Sequence, residues 1–220
     1  MNCIVTAGPT YEPLDDVRRL TNFSTGRLGA ELANFLVARG HKVILLVGEM
    51  ATYSGERKAQ RVEIFSTAAD LREKLKSLST KKTDAIFHAA AVGDFAFGRI
   101  FAPDAASKLT EIKPAKKIST RAGKMLVELL PAPKIISELR GWFPKTKIVG
   151  WKFEADGKRE DAITAAQRQI AECSTDLCVV NGPAYGEGFG LLSRSGAPAH
   201  LSNPPLLFDA LEKAAVLFVK

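Results

Sequence analysis

A turn with closely spaced glycines, TNFSTGRLG (21–29), contains the residues of this chain best suited to chemistry. A helical pattern starts at this turn, and the free N–H groups and dipole of a helix N-terminus suit a phosphate. Gly26 would let the backbone approach the anion, and Gly29 would let the helix pack closely on a sheet. The spacing fits a plain turn and a packing contact equally well, so both interpretations stay open here.

A long polar loop precedes this turn. The first strand-like run, NCIVTAG, ends at Gly8, about a dozen residues before Thr21. Residues 9–25 are polar and interrupted by proline, which favours a loop. The loop contains polar and charged side chains that could bind a substrate: Asp15, Asp16, Arg18, Arg19, Thr21 and Asn22. So much polar chain inserted next to a phosphate site predicts a second, charged substrate.

Further candidates lie later in the chain. AAAVGDF (89–95) places small residues at a strand end, where a ligand could lie against the backbone, and Asp94 could contact a hydroxyl, an amide or Mg²⁺. A packed strand followed by an Asp at a turn explains the same residues.

Lys117 lies in a segment without a regular pattern, where a lysine is usually only an exposed loop residue. It could also close over a triphosphate and stabilise departing pyrophosphate. Asn181 after a strand could hold a polar edge of a substrate or cap a turn.

Alternating strand and helix patterns position these residues. Apolar runs predict the strands NCIVTAG, HKVILLVG, DAIFHAAAV, KMLVELL, KIVGWKF and DLCVVN. Helical spacing predicts a first helix over 26–39. A second helix is predicted to begin at a capping box formed by Thr67 and Asp70, with Leu71, Leu75 and Leu78 on one face. Three more are predicted over PAPKIISELRGW, EDAITAAQRQIAEC and PLLFDALEKAAVLFV. The alternation predicts an α/β fold: a Rossmann-like doubly wound, mostly parallel sheet with helices on both faces, in a single domain over 1–220. Ligands of such sheets bind at the carboxyl ends of the strands.

Composition narrows the function classes. A hydrophobic fraction of 46% supports a packed core, and no apolar run approaches the roughly 18 residues of a membrane span. The N-terminus shows no signal-peptide pattern, and the three cysteines form no paired framework, so we expect a protein of the reducing cytoplasm. The cysteines and histidines are too scattered to predict a metal site: Cys3, Cys173, Cys178, His41, His88 and His200.

The chain is basic, with a formal net charge of +7 and a pI of about 9.4. Its lysines and arginines are scattered, and no basic run is interleaved with aromatic residues, so we expect no nucleic-acid partner. The excess positive charge could serve a phosphate-rich small substrate, or it could have no specific role.

The run VTAGPTYEPLDDVRRLTNFSTGRLG resembles the opening of the phosphopantothenate–cysteine ligases of coenzyme A biosynthesis. The resemblance continues in order through AAAVGDF, KKIST, KMLVELLPAPKII, VGWKFEAD and LCVVN, and therefore spans about residues 3–181. The opening block is far more specific than a lone glycine pattern. In many bacteria this ligase is the C-terminal half of a bifunctional flavoprotein, and we expect a free-standing form here.

The resemblance implies a two-step ligation. A nucleoside triphosphate, ATP or CTP, activates the carboxylate of 4′-phosphopantothenate as an acyl nucleotidylate and releases pyrophosphate with Mg²⁺. The amine of cysteine then attacks, giving phosphopantothenoylcysteine. The family is typically dimeric, which makes a homodimer the expected assembly, and the segment 94–120 is a candidate for a lid or a dimer contact.

The resemblance also assigns roles to residues. Asn22 and Lys117 would be catalytic, with Asn22 on the activated acyl group and Lys117 on the triphosphate. Substrate-binding positions would be Arg18, Asn22, Ala90, Ala91 and Asp94. Nucleotide-binding positions would be Gly8, Ser24, Gly26, Gly29, Trp151 and Asn181, with Trp151 where the family usually has Phe.

Departures from the family pattern leave ATP and CTP both open. The helix before DLCVVN lacks the lysines of the CTP-using members, with Gln169 and Cys173 near those positions, and WKFEAD is closer to the form of the ATP-using members.

Two other functions compete with the ligase. One rival is an NAD(P)-dependent oxidoreductase of Rossmann type, in which Glu49 would bind an adenosine ribose. No tyrosine of this chain is followed by lysine four residues later, as a short-chain reductase would require. The other rival is a non-catalytic nucleotide-binding relic, which would be expected to have lost Asn22 or Lys117.

Overall fold

The computed structural model describes residues 1–104, 107–113, 116–119 and 123–219. The strands are β1 (Asn2–Ala7), β2 (Tyr11–Pro13), β3 (Arg19–Thr21), β4 (Lys42–Gly48), β5 (Arg61–Phe65), β6 (Ala85–His88), β7 (Phe95–Pro103), β8 (Leu109–Ile112), β9 (Leu126–Pro131), β10 (Lys147–Phe153), β11 (Leu177–Asn181), β12 (Phe189–Ser193) and β13 (Ala199–Leu201). The helices are α1 (Arg27–Ala38), α2 (Ala68–Leu78), α3 (Ile135–Trp142), α4 (Arg159–Cys173) and α5 (Pro204–Val219).

An eight-stranded sheet forms the centre, in the order β13-β12-β11-β10-β6-β1-β4-β5. The strands from β11 to β5 pair in parallel, while β12 and β13 add an antiparallel edge. The chain runs from β1 outward through β4 to β5 and then returns to the other side of β1 as β6. This reversal of direction makes the carboxyl ends of β1 and β6 the switch point, where such sheets bind ligands.

Helices cover both faces of the sheet. Alternate residues of β1 face opposite sides, since Cys3 and Val5 pack with α1 and α5 while Ile4 packs with α2 and α3. Helix α4 lies over β11 and β12 through Ala162, Ala166 and Ile170. The expected mostly parallel, doubly wound α/β fold is therefore confirmed.

Helix α2 starts at the predicted residue but with half of the expected capping box. The Thr67 hydroxyl accepts a hydrogen bond from the Asp70 N–H at 3.1 Å, whereas the Asp70 carboxylate accepts from the N–H of Ser66 at 2.9 Å. The predicted apolar face is confirmed, because Leu71, Leu75 and Leu78 are all buried.

Several sequence-based expectations about the elements are wrong. Residues 9–25 do not form an unbroken loop, because β2 and β3 pair as an antiparallel hairpin. Strand β5 lies in a stretch expected to be a loop, and the edge strands β12 and β13 break the simple strand–helix alternation. Strand β6 ends at His88, so the whole AAAV run (89–92) lies beyond it. Helix α3 begins at Ile135 after the Lys134 cap, so the prolines at 131 and 133 precede it.

The segment 94–120 contains regular structure that the sequence did not reveal. Strand β7 pairs with β8 on one side and with β9, the KMLVELL strand, on the other, in a separate three-stranded antiparallel sheet. The expectation of a lid or dimer contact also covers residues 105–106, 114–115 and 120, which lie outside the described residues. Among the helices of the described ranges, none has the length and hydropathy needed to cross a bilayer.

Candidate functional site

A cleft of about 980 Å³ opens at the carboxyl ends of the central strands. It brings together most of the residues singled out from the sequence, which come from widely separated parts of the chain: Gly8, Asn22, Ser24, Gly26, Gly29, Ala90, Ala91, Asp94, Trp151 and Asn181. Arg18 and Lys117 are not part of its lining. The cleft is thus the place where a nucleotide and an acyl substrate could meet.

The glycine turn returns to the end of β1 although the hairpin separates them in sequence. Gly8 and Gly26 both have positive φ angles, 81° and 79°, and a Cβ on Gly26 would lie 3.2 Å from the Gly8 nitrogen. Gly26 is the N-cap of α1 and has no side chain to cap the helix. The Arg27 N–H donates to the Thr25 hydroxyl at 3.3 Å, while the N–H groups of Leu28 and Gly29 have no partner among the described residues and remain available to a ligand. The hairpin is therefore an insertion that leaves the glycine turn in contact with the end of β1.

Asn22 joins the glycine turn to the end of β6. Its side-chain amide donates hydrogen bonds to the carbonyl oxygens of Ala91 and Val92, at 3.3 and 3.4 Å. The Ala91 N–H donates to the Gly8 carbonyl at 3.0 Å, which fixes the same stretch to the end of β1. Asn22 and the small residues after β6 are thus neighbours, and an acyl group lying along them would sit beside the N-terminus of α1.

A buried histidine supports this wall of the cleft. His88 Nδ1 lies 3.0 Å from the Thr6 hydroxyl oxygen, which in turn accepts a hydrogen bond from the Ala90 N–H at 3.1 Å. His88 is 5% exposed, and burial lowers its pKa to about 4, so the ring is neutral near pH 7. A neutral imidazole holds Ala90 in place without adding charge at the floor of the cleft.

Trp151 and Asn181 lie on the neighbouring strands β10 and β11, on the side of β6 that faces away from β1. Trp151 pairs with Val179 in the β10–β11 register, and Asn181 is the last residue of β11. The indole Nε1 of Trp151 is buried with no hydrogen-bond partner in the described part of the chain. At the rim, Phe23 and Phe153 also line the cleft and are exposed at 105% and 64%.

Two basic residues of the cleft that form no ion pair in the described part of the chain were missed by the sequence analysis. Lys134, just before α3, and Arg168, on α4, line the cleft, and no ion pair involves either side chain within the described ranges. By contrast, Lys152 pairs with Glu154 at 3.0 Å. The signal that could have found Lys134 is its place between a strand and a helix in PAPKII. This uncompensated positive charge suits a polyphosphate.

Arg18 and Lys117 meet outside the cleft. Arg18 binds the Asp15 carboxylate through its Nη2 and also through its Nε at 3.0 Å, and Nη2 donates to the Ile118 carbonyl at 2.8 Å. The guanidinium holds the pKa of the Asp15 carboxyl well below its usual range. Lys117 is exposed, next to this ion pair. The structure therefore does not bring either residue to the predicted substrate or triphosphate position.

Metal ligands are sparse in this region. Across the described ranges, three or more His, Cys, Asp or Glu side chains do not converge on any point that could hold an ion. The acidic residues of the cleft are Asp94, Glu154 and Glu172. Such a lining could bind Mg²⁺ only together with a nucleotide, because one or two carboxylates would then share the ion with phosphate oxygens.

Comparison with known proteins identifies relatives of this chain. The family model described as DNA/pantothenate metabolism flavoprotein C-terminal domain matches residues 1–196. The chain is 33% identical over 180 residues to the coenzyme A biosynthesis bifunctional protein CoaBC of Thermococcus kodakarensis, covering 81% of this chain and 40% of the relative. It is 32% identical over 188 residues to CoaBC of Bacillus subtilis, covering 85% and 42%. The chain thus spans less than half the length of these relatives.

Solved structures share the fold. The DNA/pantothenate metabolism flavoprotein from Streptococcus pneumoniae superposes with a TM-score of 0.85 at 21% identity, covering 99% of both chains. A Cab2 mutant in complex with phosphopantothenate-cysteine superposes with a TM-score of 0.77 at 21% identity, covering 99% of this chain and 87% of that one.

Proposed function

Because this chain belongs to the family of the DNA/pantothenate metabolism flavoprotein C-terminal domain, we propose that it is a phosphopantothenate–cysteine ligase. A nucleoside triphosphate activates the carboxylate of 4′-phosphopantothenate, pyrophosphate leaves, and the amine of cysteine displaces the nucleoside monophosphate. In the first step the carboxylate oxygen bonds to the α-phosphorus as the bond to pyrophosphate breaks. In the second, the amine loses a proton as the C–N bond forms.

One observation carries the proposal: the residues proposed to hold the acyl group and the turn proposed to hold the phosphates lie side by side in one cleft. The Asn22 amide donates to the carbonyl groups of Ala91 and Val92, and the same turn continues into the N-terminus of α1, where the N-cap Gly26 has no side chain. A carboxylate held along Ala90, Ala91 and Asn22 would face the α-phosphate of a nucleotide bound at that helix terminus. The reacting atoms would then be held close together, which lowers the entropic part of the barrier.

The remaining cleft residues are assigned to the nucleotide. The backbone around Gly8, Ser24 and Gly26 takes the phosphates, and Gly29 allows α1 to approach the sheet. Trp151 and Asn181 line the nucleotide side, where Lys134 and Arg168 add positive charge. Mg²⁺ would enter with the triphosphate, neutralising its charge, and Asp94 is the carboxylate closest in sequence to the acyl subsite. The choice between ATP and CTP is left to the experiment below.

Arg18 and Lys117 are assigned to the same reaction from outside the described cleft. Lys117 is proposed to stabilise the charge on departing pyrophosphate. Because its exposed side chain is not part of the cleft lining and its segment is bonded to the β2–β3 hairpin, this role requires Lys117 to reach the cleft of a second protomer. Arg18 is proposed to contact the phosphopantothenate while its Nη2 and Nε hold Asp15.

A homodimer in the cytoplasm is the proposed state of the protein. The three-stranded sheet formed by β7, β8 and β9 has several large apolar side chains that are 42–50% exposed: Phe95, Leu109, Leu126, Leu129 and Leu130. Covering such side chains in a second copy removes apolar surface from water. Sedimentation velocity would test this, and a monomer at micromolar concentration would contradict it.

The deciding experiment measures pyrophosphate release from purified protein with Mg²⁺ and 4′-phosphopantothenate, with ATP and CTP in parallel and with or without cysteine. We expect release that depends on phosphopantothenate, and amide formation once cysteine is added. The nucleotide that supports release is the substrate. No release with either nucleotide would favour the non-catalytic relic.

The oxidoreductase rival has little support in this cleft. Its proposed ribose ligand, Glu49, accepts a hydrogen bond from the Tyr11 hydroxyl at 3.0 Å and does not line the cleft. A change in nicotinamide absorbance with the purified protein would restore that rival.

A further inference from the structure

The hairpin between β2 and β3 holds a segment that lies about 100 residues away in sequence. The Ile118 N–H donates to Asp15 Oδ2 at 3.1 Å, and the Ile118 carbonyl accepts from Arg18 Nη2 at 2.8 Å. The Asp16 N–H also donates to the Lys116 carbonyl at 3.0 Å. Both polar groups of the Ile118 backbone are thus bound to the hairpin, immediately beside Lys117.

Asp15 is the centre of this contact. Its side chain is fully buried, at 0% exposure, although it lies in a short turn between two three-residue strands. Oδ1 accepts the N–H groups of Val17 and Arg18, at 3.0 and 2.8 Å, while Oδ2 accepts from the Arg18 guanidinium and from Ile118. A buried carboxylate is tolerated because each oxygen is bonded and the charge is paired.

The Ile118 side chain adds an apolar anchor. It is 4% exposed, whereas its neighbours Lys116, Lys117 and Ser119 are exposed. The segment is therefore fixed at one residue by burial and by two hydrogen bonds, and the next residue towards the N-terminus is Lys117. The ammonium group of a lysine can move over several ångströms, but its range is set by where the backbone is held.

We propose that Asp15 is a positioning residue for the ligation, which holds the Arg18 guanidinium and the Ile118 backbone so that Lys117 is presented at a fixed place. This role rests on the proposed function, because it concerns the step in which Lys117 stabilises pyrophosphate departure. Asp15 itself does not touch the reacting groups. Its removal would release the segment 116–119 from the hairpin.

The test compares Asp15→Asn with Asp16→Asn, a matched control in which the neighbouring exposed carboxylate is removed. Asparagine keeps the size of the side chain but loses the charge that binds Arg18. Hydrogen–deuterium exchange of the peptide containing Ile118 reports the contact directly, without any substrate. We expect at least tenfold faster exchange in Asp15→Asn and no change in Asp16→Asn, and equal exchange in both would overturn the contact.

Pyrophosphate release then reports the role. We expect Asp15→Asn to lower kcat by about tenfold to 100-fold, as misplacement of a catalytic group does, with little change in KM. In a Lys117→Gln background the same substitution should have almost no further effect on kcat. An unchanged kcat, or an equal loss with and without Lys117, would overturn the positioning role.

Two further observations separate the causes of failure. If thermal unfolding shows that Asp15→Asn does not fold, Ile118→Ala replaces it, since it loosens the same anchor without touching a charge, and the same exchange and kcat criteria apply. If the unsubstituted protein releases no pyrophosphate, the proposed function fails and this role fails with it. The exchange result would still show whether Asp15 holds the segment, so the two failures are distinguishable.

Discussion

Gly29 of α1 lies so close to Ala7 of β1 that a Cβ on Gly29 would be 2.6 Å from the Ala7 Cβ and 3.0 Å from the Thr6 carbonyl oxygen. Both partners belong to the sheet, so neither can move aside cheaply. This contact places the N-terminus of α1 against the end of β1. The close packing expected of Gly29 is therefore confirmed, and the position of the proposed phosphate subsite would depend on it.

We expect Gly29→Ala to destabilise the protein by about 1–3 kcal/mol, because the added methyl must displace α1 from β1. A lower midpoint of chemical denaturation at unchanged m-value would report this loss. Gly141→Ala is the matched control, since a Cβ at this position in α3 meets nothing within 4 Å. That control should be neutral or stabilise by up to about 1 kcal/mol. Equal stability of the two variants would contradict the packing argument.

Asn22→Asp should impair the second chemical step. A carboxylate cannot donate to the Ala91 and Val92 carbonyl oxygens, and its charge would disfavour the oxyanion that forms when the amine attacks the acyl group. Removing one such donor typically costs about 100-fold or more in kcat. Amide formation should fall by that factor, while pyrophosphate release in a single turnover continues and acyl nucleotide accumulates.

The control for Asn22 is Asn34, whose side-chain amide also donates to a backbone carbonyl, that of Glu56, at 2.8 Å. Asn34 is not part of the cleft lining. Asn34→Asp should therefore change stability but not the rate of amide formation. Normal turnover of Asn22→Asp, measured by mass spectrometry of the products, would remove Asn22 from the site.

The sequence predicted the interior of this protein better than its edges. Strands β1, β4, β10 and β11 and helices α1, α2, α4 and α5 were predicted because their apolar residues recur with a clear period or form unbroken buried runs. Strand β5 was missed because it is an edge strand, in which Val62 and Ile64 are 43% and 50% exposed. Its pattern therefore does not show the continuous apolar character of a central strand.

The site was predictable where local chemistry determines it. Glycines at a helix start and small residues after a strand indicate a ligand without knowledge of their partners. The place of Arg18 and Lys117 was not predictable, because it depends on a contact between Asp15 and Ile118 that no local pattern encodes. Lys134 and Arg168 were missed for a related reason, since basic residues near helices are common on any surface.

Lys134 and Arg168 should strengthen binding of the nucleoside triphosphate. We expect Lys134→Gln and Arg168→Gln each to raise the KM for the nucleotide about tenfold, as loss of a hydrogen bond to a charged group does, and to weaken the dependence of KM on salt. Lys145→Gln is the control, since Lys145 is exposed and does not line the cleft. Steady-state kinetics at two ionic strengths would measure the KM for the nucleotide and its salt dependence. An unchanged KM in both variants would mean that the triphosphate does not bind near Lys134 and Arg168.

His88 should make stability depend on pH in a defined window. Its folded pKa of about 4 lies below the value of about 6.5 in an unfolded chain. As the pH falls through 6.5 the unfolded state takes up a proton that the folded state does not, so the free energy of unfolding decreases until about pH 4. A difference of that size between the folded and unfolded pKa values lowers the free energy of unfolding by about 3 kcal/mol between pH 7 and pH 4.

Urea denaturation at several pH values would measure this effect, and His88→Asn isolates it. Asparagine can keep a polar group near the Thr6 hydroxyl but does not titrate, so the variant should lose about 3 kcal/mol less than the unsubstituted protein over this window. Asp15 does not interfere, because its lowered pKa keeps its contribution to stability until the pH falls below about 4, the value for an unfolded chain. If the free energy of unfolding falls equally with pH in both proteins, His88 is protonated in the folded state. The conclusion that a neutral imidazole supports the cleft would then be wrong.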